Sequence, residues 1–316
     1  MCGATRTNKK MKTPKVILAA LLTMAFATAP LALAKPAGKG TWIVPACSTP
    51  KKATQNVLFG YRKPVEGGPS GGILYPICLI NGKKITDVPY SGSEERKSFE
   101  SDFMHKGAQY NLFCAGKALG KINSKELINS DYESYLACSL NKAAAKSNGL
   151  ATNMSIASQA KSLPMNVAER SKLKALAIST LKSAKVPNAL LKDLKFTDLE
   201  KIQSGKNASP LLVANAQVDE PTGNSPITHS VFLVVSDLQS GMQKQICNVY
   251  HSTGDLGEGN QGIETYFGQL DIDGDGIAEI VSQHDFAGSS AFRIYSKQKN
   301  KKWKNLGTFG SYGPGC

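Results

Sequence analysis

The pattern of apolar and polar positions changes along the chain, and its N-terminal part predicts strands. Between residues 41 and 124, short apolar, β-branched or aromatic runs such as "NVLFGYR" and "GILYPICLI" are separated by Gly, Pro, Asn and Ser. This spacing is typical of strands joined by turns. In "LINGKKI" and "LFCAGKALGKI" a glycine stands between two such runs, and each segment predicts a hairpin. We expect this region to form a small β barrel or sandwich.

The middle of the chain changes to a helical period. Asn166, followed three residues later by Glu169, predicts a capping box, and Pro187 predicts the end of the helix. Positions at helical spacing between them give one mostly apolar face: Leu173, Leu176, Ala177, Thr180, Leu181 and Ala184. Residues 141–206 also hold 12 Lys and Arg against four Asp and Glu. The middle is therefore predicted to be a basic helical segment.

Strand-like runs return after residue 195, and they contain a weak internal repeat. "SVFLVVSDLQSGMQK" (230–244) aligns with "SAFRIYSKQKNKKWK" (290–304) at a constant offset of 60 residues. "LEKIQSGKNASPLLVANAQ" (199–217) aligns with "LDIDGDGIAEIVSQHD". Each copy predicts a hairpin loop, a strand, a turn and a second strand. We expect two small antiparallel sheets that pack against each other and against the helix.

The start of the chain has the features of a secretory signal. A basic segment, "KKMKTPK", precedes the apolar run "VILAALLTMAFATA", and Ala32 to Ala34 fit a small-residue cleavage site. The alternative is a membrane anchor, but the run is short and Pro30 interrupts it. Removal of residues 1–34 leaves 33 Lys and Arg against 24 Asp and Glu, a net charge of +9. The sequence predicts a secreted or periplasmic protein with no transmembrane segment after signal removal.

An exported chain with six remaining cysteines predicts three disulfides. If each domain closes its own bridges, Cys247 pairs with Cys316. The other four cysteines allow three pairings, of which Cys47 with Cys78 and Cys114 with Cys138 is the favoured one. No two cysteines have the CxxC spacing of a zinc or redox motif.

The segment "LDIDGDGIAEIV" carries the clearest chemistry. Asp271, Asp273 and Asp275 alternate with small or apolar residues, a spacing that lets one loop present several oxygens to a hard cation. An EF-hand requires a glutamate at loop position 12, where this chain has Ser282, and strand-like rather than helical segments flank the loop. The loop is predicted to join two strands. A solvated Asp-Gly turn is the alternative, although four acids within nine residues repel one another without a cation.

This loop resembles the calcium hairpin of FG-GAP/VCBS-type repeats, the units of integrin-like β-propellers. The resemblance covers about 50 residues and implies a structural Ca²⁺. It also implies five ligands: Asp271, Asp273, Asp275, the carbonyl of Ile277, and Glu279. In the first copy the equivalent positions are Glu200, Ile202 or Ser204, so that copy is expected to lack the metal. Two units cannot close a propeller.

Motifs for catalysis and for nucleic-acid binding are weak, so no catalytic or cofactor-binding residue is predicted. The segment "GPSGG" matches the G-x-S-x-G consensus of a nucleophile elbow, but a strand-like run rather than a helix follows it. The loop "HSTGDLGEGN" brings together His251, Asp255 and Glu258, and His284 precedes Asp285; such loop residues are common without catalysis. The lysines around Trp303 are interpreted as a solvated turn, or else as a surface for an anionic partner. No motif supports specific nucleic-acid recognition.

These observations predict an α+β, mainly antiparallel β protein. The expected organisation is a signal peptide (1–34), a small disulfide-bonded β domain (35–140), a basic helical segment (141–194) and two degenerate repeats resembling propeller blades (195–316). The predicted function is that of an exported calcium-binding structural or binding protein of the cell envelope or extracellular space. Its expected partner is an unknown protein or an anionic envelope polymer. The alternative is a secreted hydrolase whose site is assembled from separated loops.

Overall fold

Three antiparallel sheets account for most of the fold in a computed structural model of the protein. It describes residues 55–66, 71–90, 92–129, 134–139, 146–157, 160–222, 226–236, 241–253, 262–286 and 289–312. The strands are β1 (Asn56–Arg62), β2 (Ile73–Asn81), β3 (Lys84–Asp87), β4 (Gln109–Cys114), β5 (Lys117–Asn129), β6 (Ser134–Cys138), β7 (Gly149–Thr152), β8 (Lys161–Leu163), β9 (Lys195–Gln203), β10 (Leu211–Glu220), β11 (Ile227–Ser236), β12 (Gln243–Thr253), β13 (Ile263–Leu270), β14 (Glu279–Phe286), β15 (Ser289–Lys297) and β16 (Trp303–Tyr312). The helices are α1 (Glu94–Phe103), α2 (Val167–Ser183) and α3 (Asn188–Leu191). The expected β-rich, antiparallel architecture is confirmed.

Six of the first seven strands form a closed barrel, and β3 extends it by pairing with β2. Their order is β1-β7-β4-β5-β6-β2-β3, and β1 also pairs with β2, which closes the ring. The interior is filled by apolar side chains that include Phe59, Tyr61 and Leu112. Both predicted hairpins are confirmed, because Asn81 pairs with Lys84 and Cys114 pairs with Lys117.

A second layer covers the outside of the barrel. Sheet C, in the order β13-β14-β15-β16, packs Phe267 and Phe292 against outward-facing barrel residues such as Leu58 and Ile77. This explains why β1 is apolar on both faces instead of alternating. A Cβ at Gly60 would lie 2.7 Å from the Phe292 ring, so a glycine at this position permits the close approach of β15.

Sheet B and the helix complete the stack. Sheet B, in the order β12-β11-β10-β9-β8, packs one face on sheet C through Phe232, Ile280 and Trp303. Its other face receives Leu173 and Leu181 of α2. The two sheets therefore pack against each other, and sheet B carries α2 on its outer face. Trp303 packs inward at the end of the lysine-rich turn. Residues from Thr49 onward form one compact unit.

Helix α2 begins as the sequence predicts, but the segment before it does not form a helix. The Asn166 side chain accepts a hydrogen bond from the Glu169 N–H at 2.8 Å, and the Glu169 carboxylate accepts one from the Asn166 N–H at 3.0 Å. The preceding residues instead supply β7 to the barrel and β8 to sheet B. The barrel thus extends past residue 140, since β7 fills the space between β1 and β4. No membrane-spanning helix occurs in the part of the chain that the structure describes.

The predicted bridge between Cys114 and Cys138 is not formed. Both residues are free thiols, as are Cys78 and Cys247. Strand β5 lies between β4 and β6. Cys114 pairs with Lys117 at the start of β5, whereas Cys138 pairs with Ser124, seven residues further along that strand. Strand geometry places the two sulfurs roughly 20 Å apart, beyond the reach of a disulfide. Because Cys78 and Cys247 are free, the bridges predicted to Cys47 and Cys316 are not formed either. Cys47, Cys316 and the predicted signal peptide lie outside the described residues.

Candidate metal centre

The acidic loop joins two neighbouring strands of sheet C. Strand β13 ends at Leu270 and pairs there with Glu279, the first residue of β14. Within the loop, Asp271 accepts hydrogen bonds from the N–H groups of Gly274 at 2.8 Å and Gly276 at 2.9 Å. One carboxylate therefore holds the whole turn together.

Asp273 and Asp275 also accept hydrogen bonds from backbone N–H groups of the loop. The Asp275 N–H donates to Asp273 at 3.0 Å, and the Ile277 N–H donates to Asp275 at 2.8 Å. Asn and Asp side chains commonly form such turns with the backbone two residues ahead. As a result, one oxygen from each of Asp271, Asp273 and Asp275 lies within 4.8 Å of the others.

Gly274 and Gly276 allow this turn because their backbone is left-handed. Their φ angles are +76° and +86°, and a Cβ at either position would meet no atom within 4 Å. Glycine is therefore required at both positions because of the backbone conformation and not because of a lack of space for a side chain. Residues with a side chain rarely adopt this region.

Glu279 lies beneath the three aspartates in a buried position. Its side chain is 1% exposed, and one carboxylate oxygen accepts a hydrogen bond from the Ile272 N–H at 2.9 Å. Burial, with the nearby charge of Asp273, raises the pKa of Glu279 to about 8. Its oxygens lie outside the group with mutual distances of at most 4.8 Å.

The loop has little positive charge to balance its acids. Burial, and then the charges of Asp275 and Asp273, raise the pKa of Asp271, although two backbone N–H groups oppose the shift. The Lys83 ammonium lies 3.9 Å from Asp273, but its side chain is 77% exposed, and exposed pairs of this kind contribute little. A cation bound among the aspartates would relieve this repulsion.

The second half of the loop is anchored in the protein core. Ile277 packs in the cluster between sheets B and C, and the Ala278 N–H donates to the Ser204 carbonyl at 2.6 Å. Gly205, beside Ser204, approaches the Gly276 carbonyl so closely that a Cβ would lie 2.4 Å from it. A rigid scaffold therefore positions the oxygens of the loop.

The structure brings together the carboxylate oxygens of three of the five predicted ligands, Asp271, Asp273 and Asp275. Carboxylate oxygens suit hard cations such as Ca²⁺, Mg²⁺ or Mn²⁺, and disfavour softer metals that prefer sulfur or nitrogen. The roles of the Ile277 carbonyl and of Glu279 as ligands stay predictions.

Sequence reasoning missed a buried polar network on the other side of sheet C. Glu264, which is fully buried, accepts hydrogen bonds from Asn248 at 2.8 Å, Ser282 at 2.5 Å and Tyr295 at 2.6 Å. It also accepts a bond from Tyr250 and forms an ion pair of 3.1 Å with Arg293. These partners come from three strands in two sheets, so no local sequence motif indicates the network.

His251 and His284, two histidines considered from sequence, pack against other aromatic side chains. His251 contacts His229 through their Nδ1 atoms at 2.7 Å, and His229 Nε2 lies 2.9 Å from Glu220. Asp255, Glu258 and Ser70 lie outside the described residues. His284 packs its ring on Tyr250, with centroids 5.1 Å apart, and its Nε2 is buried without a hydrogen-bond partner among the described residues.

Comparisons with known proteins return no relative. No protein-family model, no curated protein and no solved structure matches the chain.

Proposed function

We propose that this chain is an exported calcium-binding structural or binding protein of the cell envelope or extracellular space. The observation that carries this proposal is the group of three aspartate oxygens within 4.8 Å of one another in the hairpin between β13 and β14. Two ligands on opposite sides of Ca²⁺ are separated by roughly 5 Å, because each lies at about 2.3–2.6 Å from the ion. The spacing of the aspartates fits such a shell.

Calcium is the favoured cation among those that oxygen ligands accept. The proposed shell comprises Asp271, Asp273, Asp275, the carbonyl of Ile277 and Glu279. Magnesium demands a tighter octahedron with shorter bonds, whereas calcium tolerates a flexible shell of six to eight oxygens. Bound there, the ion would join the loop to the buried start of β14 and, through the Ala278–Ser204 hydrogen bond, to sheet B. Its role is structural.

We further propose that residues 195–316 contain two degenerate FG-GAP/VCBS-type repeats. Strands β9 to β12 form one four-stranded meander, and strands β13 to β16 form another. The two loops that correspond in the sequence alignment touch at Ser204 and Ala278. These observations support blade-like units of which only the second keeps its metal.

Export and an envelope partner belong to the same proposal. The apolar segment that precedes Ala34 supports a secreted or periplasmic location. The solvent face of α2 carries Arg170, Lys172, Lys174 and Lys182, all exposed. This charge supports an anionic envelope polymer as one class of partner, with an unknown protein as the other.

The test is the thermal stability of metal-stripped protein titrated with calcium. A ligand that binds only the folded state at a hundredfold excess over its dissociation constant stabilises that state by about 2.7 kcal/mol. We expect one calcium per chain and a rise in melting temperature. Asp275→Ala should abolish the rise and Glu279→Ala should weaken it.

Ser282→Ala is the matched control for the calcium titration. This variant removes a hydrogen bond to Glu264, so its melting temperature should fall while its response to calcium is unchanged. A melting temperature that is the same in millimolar calcium and in chelator would show that the acids form only a charged turn.

A further inference from the structure

A cleft opens at the end of sheets B and C opposite the acidic loop. It encloses about 520 Å³, within the range of small-molecule sites. Its described lining is Thr197, Gln217, Ser252, Gly262, Ile263, Thr265, Asp285, Phe286, Ser289 and Ser290.

Side chains of sheet B hold the outer strand of sheet C and so define one wall of the cleft. Asp198 accepts a hydrogen bond from the Tyr266 N–H at 3.1 Å, and the Asn215 side chain donates to the Glu264 carbonyl at 2.6 Å. Thr197 and Gln217 lie next to this pair on β9 and β10. Strands β9 and β10, which frame the opening, are therefore held against β13 by these two hydrogen bonds.

The polar groups of the lining are almost all uncharged. Five hydroxyls and one amide can each donate and accept hydrogen bonds, whereas Asp285 supplies the one charge among the described lining residues. Asp285 Oδ1 accepts hydrogen bonds from Gln283 and Ser290. Its Oδ2 receives none from a described residue.

Phe286 adds an apolar surface whose orientation is set by its neighbours. Its ring packs on His284, with centroids 5.5 Å apart, and His284 in turn packs on Tyr250. Burial and the charge of Arg293 lower the pKa of His284. The ring that supports Phe286 is therefore neutral at neutral pH.

We propose that this cleft binds a neutral sugar. A sugar presents many hydroxyls that both donate and accept, and its apolar C–H face suits an aromatic ring. The lining offers both kinds of partner, and the carboxylate of Asp285 is a strong acceptor for a sugar hydroxyl. The same negative charge, with no Lys or Arg among the described lining residues, disfavours phosphorylated or acidic sugars.

The cleft is assigned to binding rather than to hydrolysis. Most glycosidases need two carboxyl groups that flank the scissile bond, and the described lining supplies Asp285 alone. This inference goes beyond the proposed calcium function and does not depend on it, because no proposed calcium ligand lines the cleft.

The test is saturation-transfer NMR on the full exported chain, in calcium and again in chelator. The probes are glucose, galactose, mannose, N-acetylglucosamine and β-1,4-linked disaccharides of glucose and N-acetylglucosamine, with glucose 6-phosphate and glucuronic acid as charged competitors. We expect saturation transfer to at least one neutral sugar. Phe286→Ala and Gln217→Ala should each weaken its binding at least tenfold, and the isosteric Thr265→Val should weaken it measurably without loss of fold.

Gln243→Ala removes an exposed amide elsewhere on sheet B and should leave sugar binding unchanged. The proposal is overturned if no neutral sugar receives saturation, if folded Thr265→Val and Gln217→Ala bind as tightly as the parent, or if a charged sugar binds best. Release of a shorter sugar from a disaccharide would also overturn it, since it would indicate hydrolysis. Because the calcium test reads melting temperature and this one reads sugar signals, the two proposals can fail separately.

Discussion

At the scale of single residues, two carboxylates are buried for different reasons. Glu264 is surrounded by hydrogen-bond donors and paired with Arg293, so its charge is compensated inside the protein. Glu279 accepts a hydrogen bond from the Ile272 N–H, but its pKa is raised by burial and by Asp273, so its charge is compensated poorly. This difference separates a structural network from a candidate ion site.

The ion pair between Arg293 and Glu264 gives a direct stability prediction. Arg293→Met leaves the fully buried Glu264 without its cation. Loss of one partner of a buried pair typically costs about 3–5 kcal/mol, and we expect a decrease in the free energy of unfolding near that range by urea titration. Lys304→Met, at an exposed cation of the neighbouring strand, should stay within about 0.5 kcal/mol of the parent. Equal losses for both variants would contradict the role of the buried pair.

At the scale of elements, β14 connects the acidic loop, the polar network and the cleft. It begins at Glu279, places Ser282 against Glu264, and ends with His284 and Phe286 beside the cleft. Strand periodicity explains this arrangement, because alternate residues face the same side of the sheet. Ser282, His284 and Phe286 therefore share one face of β14, whereas Glu279 lies on the opposite face.

His284 on this strand makes stability depend on pH. Its folded pKa is lowered from 6.5 by burial and by Arg293, so below pH 6.5 the unfolded chain binds the proton more readily. The contribution of His284 to stability is complete above pH 6.5 and is lost as the pH falls towards the folded pKa. The slope is at most about 1.4 kcal/mol per pH unit.

The prediction is tested with His284→Phe, which keeps an aromatic ring between Tyr250 and Phe286 but does not titrate. Urea unfolding at pH 7.5, 6.5 and 5.5 should show the parent losing more stability than the variant on acidification. His105→Gln changes an exposed histidine and should follow the parent. Parallel pH profiles for the parent and His284→Phe would disprove the linkage.

At the scale of the whole molecule, the barrel depends on a strand that comes late in the sequence. Strand β7 pairs with both β1 and β4, and it follows residue 140. A fragment of residues 49–140 therefore lacks the strand that closes the ring and leaves two edges unpaired. Such edges and the apolar interior would be open to solvent.

We expect the fragment 49–140 to show no cooperative thermal unfolding by circular dichroism, whereas residues 49–316 should show a clear transition. A fragment of residues 49–157 restores β7 and should recover part of the strand signal, although its outer apolar face lacks sheet C. Cooperative melting of the shorter fragment would show that the barrel does not need β7.

Local interactions made part of this protein predictable from sequence alone. The capping box of α2 and both N-terminal hairpins depend on residues close together in the chain, and all are present. The three aspartates cluster for the same reason, because their own backbone turns bring them together. Helix α1 was missed because its apolar periodicity is weak and it is stabilised by burying Phe99 against the barrel.

The tertiary structure decided the features that require distant residues to meet. The pairing of Cys114 with Cys138 seemed reasonable from position in the sequence, but the strand order places β5 between them. The partners of Glu264 and the lining of the cleft come from separate strands of two sheets, and no local pattern links them. Sequence determines what each segment does with its neighbours, whereas strand order and packing determine which distant side chains share a site.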